Sequence, residues 1–111
     1  MAVVTKVLIP AKTAEVSQTA QYTATGVTTI IDKFTATNYD TVARTISVNL
    51  VVSAGSASND NLIVKTKTLQ PSETYTFPEL VGQVIAPGGF ISTIASTGTS
   101  INIRASGREI A

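Results

Sequence analysis

Apolar side chains in this sequence recur at every second position and almost nowhere at helical spacing, which limits the chain to β-structure. Alternation puts successive side chains on opposite faces of an extended strand, so each such stretch can bury one face. The clearest stretch is residues 42–52. Val42, Ile46, Val48, Leu50 and Val52 share one face, and Ala43, Thr45, Ser47 and Asn49 share the other. Upstream, residues 3–9 form a first strand stopped by Pro10, and residues 18–24 a weaker one broken at Thr25-Gly26. Residues 28–37 form a stronger strand with Ile30, Phe34 and Ala36 on its core face.

Downstream, residues 53–61 (SAGSASNDN) read as a polar loop, followed by a strand over 62–68. Gln70-Pro71-Ser72-Glu73 is a turn whose proline presets φ, and a short strand over 74–77 ends at Pro78. Residues 80–85 fit either a short strand or an extended connection, and Ala86-Pro87-Gly88-Gly89 is a firm turn. Residues 90–96 and 101–106 flank Thr97-Gly98-Thr99-Ser100 and read as a hairpin. The pattern predicts an all-β chain: a single β-sandwich of seven to eight antiparallel strands, with jelly-roll or immunoglobulin-like topology.

The 111 residues amount to one domain, and no linker or internal repeat divides them. Charged residues make up 14% of the chain, against roughly 25% in an average soluble protein. Net charge is +1, mean hydropathy is +0.27, and 18 threonines take the place of the missing charge. Residues 1–10 lack the basic flank and cleavage site of a signal peptide, and no apolar run reaches membrane-helix length, which implies a soluble protein made in a cytoplasm.

Register predicts further detail. Phe34 and Ile46, placed on the core face of neighbouring strands, require an odd-numbered loop, Asn38-Tyr39-Asp40. Direct pairing of those strands then puts Asp32 within diagonal reach of Arg44 as a partly buried ion pair.

The residue inventory argues against chemistry. With no Cys, His or Trp, disulfides, Cys/His zinc sites, thiol nucleophiles and imidazole mechanisms are all excluded. The carboxylates Glu15, Asp32, Asp40, Asp60, Glu73, Glu79 and Glu109 are scattered singly beside turns, and no GxSxG or SxxK element activates a hydroxyl. Pro87-Gly88-Gly89 lacks the lysine of a phosphate loop, and Ser58-Asn59-Asp60-Asn61 has too few carboxylates for calcium. The chain therefore reads as no enzyme, with no catalytic residue, cofactor or metal.

Near-neutral charge gives no footprint for nucleic acid or an acidic membrane surface. Lys65 and Lys67 read as guards of a sheet edge. Phe34, Phe77 and Phe90 read as core, which leaves Tyr39 as the exposed aromatic. The first strand is apolar on both faces: Val3, Val7 and Ile9 on one, Val4 and Leu8 on the other. It is therefore either central in a sheet, covered, or an arm (residues 1–12) added to a neighbour. Val3, Val4, Leu8 and Tyr39 are the expected partner contacts.

Several turn motifs carry a resemblance. They are Asn38 before the long strand at 42–52, the loop at 53–61, and Lys67-Thr68-Leu69-Gln70-Pro71-Ser72-Glu73-Thr74. Ile85-Ala86-Pro87-Gly88 and Ser106-Gly107-Arg108-Glu109-Ile110 complete the set. In this order they resemble small β-sandwich virion proteins of tailed bacteriophages. The resemblance implies a non-enzymatic structural role in the virion: a capsid decoration (cement) protein that binds and stabilises the assembled head. The implied partners are the major capsid protein or another virion protein, and further copies of the chain, with a trimer favoured. The alternative reading is a receptor- or carbohydrate-binding module of a phage fibre or tail.

Overall fold

The computed structural model describes residues 2–111 and contains nine strands. They are β1 (Val3–Thr13), β2 (Thr19–Thr23), β3 (Thr28–Asn38), β4 (Arg44–Val51), β5 (Leu62–Leu69), β6 (Thr74–Thr76), β7 (Val84–Ile85), β8 (Phe90–Ala95) and β9 (Ile101–Ile110). One sheet has the order β1-β9-β3-β6, with β7 also on β3; the other has the order β2-β8-β4-β5. All pairings are antiparallel. Two packed antiparallel sheets make the predicted β-sandwich.

Pairing is nested: β1 with β9, β2 with β8, β3 with β6 and β7, β4 with β5. A long antiparallel ribbon folded over on itself has that order, and it makes a jelly roll. The sequence pattern alone fits this topology and the immunoglobulin-like one equally.

Side chains from both sheets fill the interior. Phe34, Phe77, Ile9, Ile31, Ile46, Val48, Leu69, Leu80, Ile91, Ile101 and Ile103 are all sealed from solvent. Phe34 meets Phe77 edge-to-face with centroids 5.2 Å apart, and Tyr75 meets Phe77 the same way at 4.8 Å. Phe90 is half-buried at the start of β8.

Inserted residues account for most departures from the alternation. In β1, Val7 is opposite Ser106 and Ile9 opposite Ala105, so one extra residue sits in the strand. That bulge turns Leu8 and Ile9 inward together, and Leu8 is only 4% exposed. A second irregularity between Ile9 and Lys12 takes up Pro10, so the strand continues to Thr13 rather than stopping there. In β3, the bulge between Ile31 and Lys33 flips the phase: Ile31 joins Phe34 in the core, and Ile30 faces outward.

Four further expectations are corrected. Residues 90–96 and 101–106 do not form a hairpin, because β8 and β9 lie in different sheets. β3 and β4 are likewise in opposite sheets, joined by residues 39–43, so Phe34 and Ile46 enter the core from opposite sheets rather than side by side. Arg44 therefore cannot reach Asp32. It binds Asp40 (Nε to Oδ2, 2.8 Å), while Asp32 takes a two-pronged contact from Arg108 on β9. Lastly, the polar face of β4 is not solvated. Ser47 and Asn49 are buried because residues 53–61 fold over them, and Asn49 Nδ2 donates to Ser58 O at 2.9 Å. At the strand's ends, Val42 and Val52 lie outside β4 and are exposed.

Lys65 and Lys67 sit on β5, an edge strand, and Lys67 Nζ lies 4.4 Å from the Tyr75 ring centroid.

Candidate functional site

The bulges set a strip of apolar side chains on the outer face of the larger sheet, interrupted by the exposed Arg108–Asp32 ion pair. Val3 of β1 is opposite Ile110 of β9, which is opposite Thr28 of β3. In the adjoining row, Thr5, Arg108, Ile30 and Val84 run across β1, β9, β3 and β7. Val3 is 57% exposed and Val84 59%, with Ile30 and Ile110 half-buried between them. Around the rim, Val84 shares a groove of about 140 Å³ with Leu50 and Val52, and Val52 is 73% exposed. Ile30 belongs to this strip because the β3 bulge turns it outward, whereas unbroken alternation puts it in the core.

The expected contact residues do not gather in one place. Val3 and Val4 lie at the end of the sandwich where β9 finishes. Leu8 is a core residue, removed from the surface by its bulge. Tyr39 is 52% exposed at the opposite end, where its N–H donates to Ser100 O and its hydroxyl meets Thr13 Oγ1 at 3.1 Å. The length of β9 separates the two ends, about 30 Å at ~3.4 Å per residue.

Beside Val4, on the inner face, lies a polar chain. Lys6 Nζ is 3.3 Å from Glu109 Oε2, and the Tyr22 hydroxyl donates to the same oxygen at 2.5 Å. A carboxylate can only accept, so Tyr22 has spent its proton and Thr29 Oγ1 donates to Tyr22 at 2.6 Å. The Tyr22 hydroxyl and then Lys6 hold the Glu109 carboxyl below its ordinary range. Lys12 and Gln21 do the same to Glu15, and the Thr41 N–H with Arg44 to Asp40. Burial, followed by the Glu109 carboxylate, pushes Tyr22 up to about 12.

These shifts have opposite consequences at the two ends of the pH scale. Carboxylates depressed in the folded chain stabilise it fully above their unfolded values near ~4, and that contribution is lost as pH falls through the lowered ones. A raised tyrosine stabilises fully below its unfolded value near ~10, and this is lost as pH rises through the folded value. Urea midpoints are expected to hold level from about pH 5 to 9 and to fall on both sides. Tyr22→Phe should shrink the alkaline fall, leaving the part due to Tyr75, which is also raised. A profile unchanged by this substitution would contradict the Tyr22–Glu109 contact.

No cluster of three or more metal-ligating side chains occurs among the described residues. No helix among them is long and apolar enough to cross a membrane. A polar groove of about 300 Å³ on the smaller sheet is lined by Gln18, Ser47, Asn49, Ser58 and Lys65. Two of its amides are already engaged: Gln18 Nε2 donates to Ser92 Oγ at 2.8 Å, and Asn49 Nδ2 to Asn61 Oδ1 at 2.7 Å.

Fold and surface together define a jelly-roll β-sandwich, an architecture that serves in viral capsids and in lectins. Over 98% of its length the chain is similar to a chain in the crystal structure of the T13 IBDV viral particle, with a TM-score of 0.56 and 10% identity. It is similarly related to a chain in the structure of the infectious bursal disease virus Gx strain, with 98% coverage, a TM-score of 0.52 and 12% identity. It spans about a third of those chains, 31% and 33%. At such identities the likeness is one of fold. No family model matches the sequence, and no curated protein sequence is significantly similar to it.

Proposed function

We propose that this protein is a non-enzymatic structural component of a virus particle, and specifically a decoration (cement) protein of a bacteriophage head. The observation that carries the reading is the outward-facing apolar set of Val3, Ile30, Val84 and Ile110, flanking the neutral Arg108–Asp32 pair, on a charge-poor jelly roll. A monomer free in solution usually carries more charge on such a face. The strip offers an apolar surface to a major capsid protein or another virion protein, with Val4 exposed on the other face of β1 and Tyr39 a separate contact at the far end. Binding to the assembled shell alone stabilises that shell by mass action, with no reaction required.

Co-sedimentation with purified phage heads tests this. The protein should pellet with assembled shells and raise their disruption temperature, and it should ignore unassembled capsid subunits. Val84→Asp, which places an unpaired charge among the strip's apolar side chains, should weaken binding at least about tenfold while leaving the fold intact. Equal binding to subunits and shells, or indifference to Val84→Asp, would overturn the assignment. The fibre or tail reading, a module for receptors or carbohydrates, would be favoured by a polar site with an aromatic platform; in the groove on the smaller sheet Gln18 and Asn49 are already hydrogen-bonded and no aromatic ring lines it.

A further inference from the structure

The edges of the two sheets are not equally protected. β5 carries Lys65 and Lys67, two register shifts against β4, and Thr66 at a φ of 46°. β2 has five residues and a register shift, while β6 and β7 have three and two. Short, bulged or lysine-bearing edges are poor templates for another strand. In β1 the two irregularities and Pro10 begin only after Val7, and the one lysine before them, Lys6, has its ammonium engaged by Glu109. Its first half, from Val3 to Val7, pairs with β9 in regular register, and Val3, Val4 and Val7 are exposed.

The hydrogen-bond phase of that segment is known. Ala2 and Ala111 exchange both backbone bonds (Ala2 N to Ala111 O, 3.4 Å; Ala111 N to Ala2 O, 3.0 Å). Bonded and non-bonded pairs alternate in an antiparallel ladder. Val4 and Lys6 therefore bond to β9, and the N–H and C=O groups of Val3, Thr5 and Val7 point away from the sheet.

We infer that β1 is a self-complementary edge that joins two copies of this chain about a two-fold axis at Thr5. Antiparallel pairing there places Val3 opposite the second copy's Val7 and Thr5 opposite its own counterpart. Every outward-facing residue then meets another outward-facing residue, so each pair can exchange both backbone bonds. Val3 and Val7 of the two copies gather on the outer face, next to Ile110. On the inner face Val4 lies opposite Lys6, whose stem can cover the valine while its charge stays with Glu109. No like charges face each other directly. A five-residue seam buries less than the ~1,200 Å² of a standard stable interface, so the dimer is a weak one that needs high local concentration. An isologous edge closes as a pair, and this edge favours a dimer over the trimer expected from the sequence.

The pairing goes beyond the lattice-binding role and is tested without a capsid. The chain has no cysteine, so each introduced thiol is unique. Directly opposed, bonded residues have Cα atoms about 5.5 Å apart, inside the ~4.4–6.8 Å window of a disulfide. Thr5→Cys should oxidise to a covalent dimer. Val3→Cys alone should not, since its counterpart lies about 14 Å away, but mixed with Val7→Cys it should give the heterodimer. In sedimentation equilibrium, Thr5→Pro should raise the dimer dissociation constant about tenfold or more, with the monomer's circular dichroism unchanged. The lost N–H faces outward, so the ladder to β9 keeps its bonds. A Thr5→Cys protein that stays monomeric under oxidation would overturn the proposal. So would Val3→Cys cross-linking to itself as readily as Thr5→Cys, a trimer, or a dimer unaffected by Thr5→Pro.

Discussion

Gly107→Ala is expected to lower the stability of the domain by about 3 kcal/mol or more, a fall of roughly 10–20 °C in melting temperature. Gly107 is buried in β9 between β1 and β3, opposite Lys6 and Ile31. A Cβ at this position would run into the Ile30 carbonyl oxygen and lie 2.9 Å from Leu8 Cδ1. The leucine could give way, but the carbonyl belongs to the backbone of β3 next to its bulge and has little freedom to retreat. Relief would require shifting β3 against β9, the central pair of the larger sheet. Thermal and urea unfolding of the variant are the measurements, and a melting temperature within ~2 °C of the parent would show that the strands can separate cheaply.

Asn38→Ala should cost nearly as much, about 3 kcal/mol. Asn38 is fully buried at the end of β3. Its Nδ2 donates to Val42 O and to Leu69 O, both at 2.9 Å, and its Oδ1 accepts from Asp40 N at 2.9 Å. Its backbone also bonds to Glu73 O and Ser72 N. One side chain thus ties residues 39–43 to the end of β5 at one corner of the sandwich. Alanine removes all three of these bonds at a buried corner, at roughly 1 kcal/mol each, and leaves a void where the amide sat. Asn38→Asp should be no better. It keeps the acceptor for Asp40 N but turns a negative charge toward two carbonyl oxygens. Hydrogen exchange should show protection lost first at residues 39–43 in both variants, and preserved protection there would refute the role given to Asn38.

Much of the architecture was legible in the sequence because alternation is a direct consequence of strand geometry. Val48, Ile46 and Phe34 stand where a period of two puts them, and the lysines of β5 mark an edge. What was not legible shares one cause. An inserted residue changes the phase of a strand without changing its composition, so Leu8 was assigned to the surface and Ile30 to the core, each the reverse of the structure. Two features hinted at the bulges: adjacent charges at Asp32-Lys33 within an apolar run, and Gly107 inside a strand pattern. Connectivity was hidden for a different reason. A four-residue turn such as 97–100 looks the same whether it joins neighbours in one sheet or carries the chain across to the other. The ion pair at Arg44 followed from that choice, since the partner four residues away needs no strand pairing at all. The apolar strip depends on all these features at once, and sequence gave only its β1 end.

The nested pairing of strands also sets an order of assembly. Lys6 and Glu109 are 103 residues apart in the chain, whereas Ile46 and Lys67, paired in β4 and β5, are separated by 67 − 46 = 21. Closing the larger loop from an unfolded chain costs roughly 1.4 kcal/mol more. The ribbon therefore gains by zipping from its tip at β4 and β5 outward, and β1 finds β9 last. Until then β1 is a solitary hydrophobic strand, and at high protein concentration the β9 of another molecule competes for it.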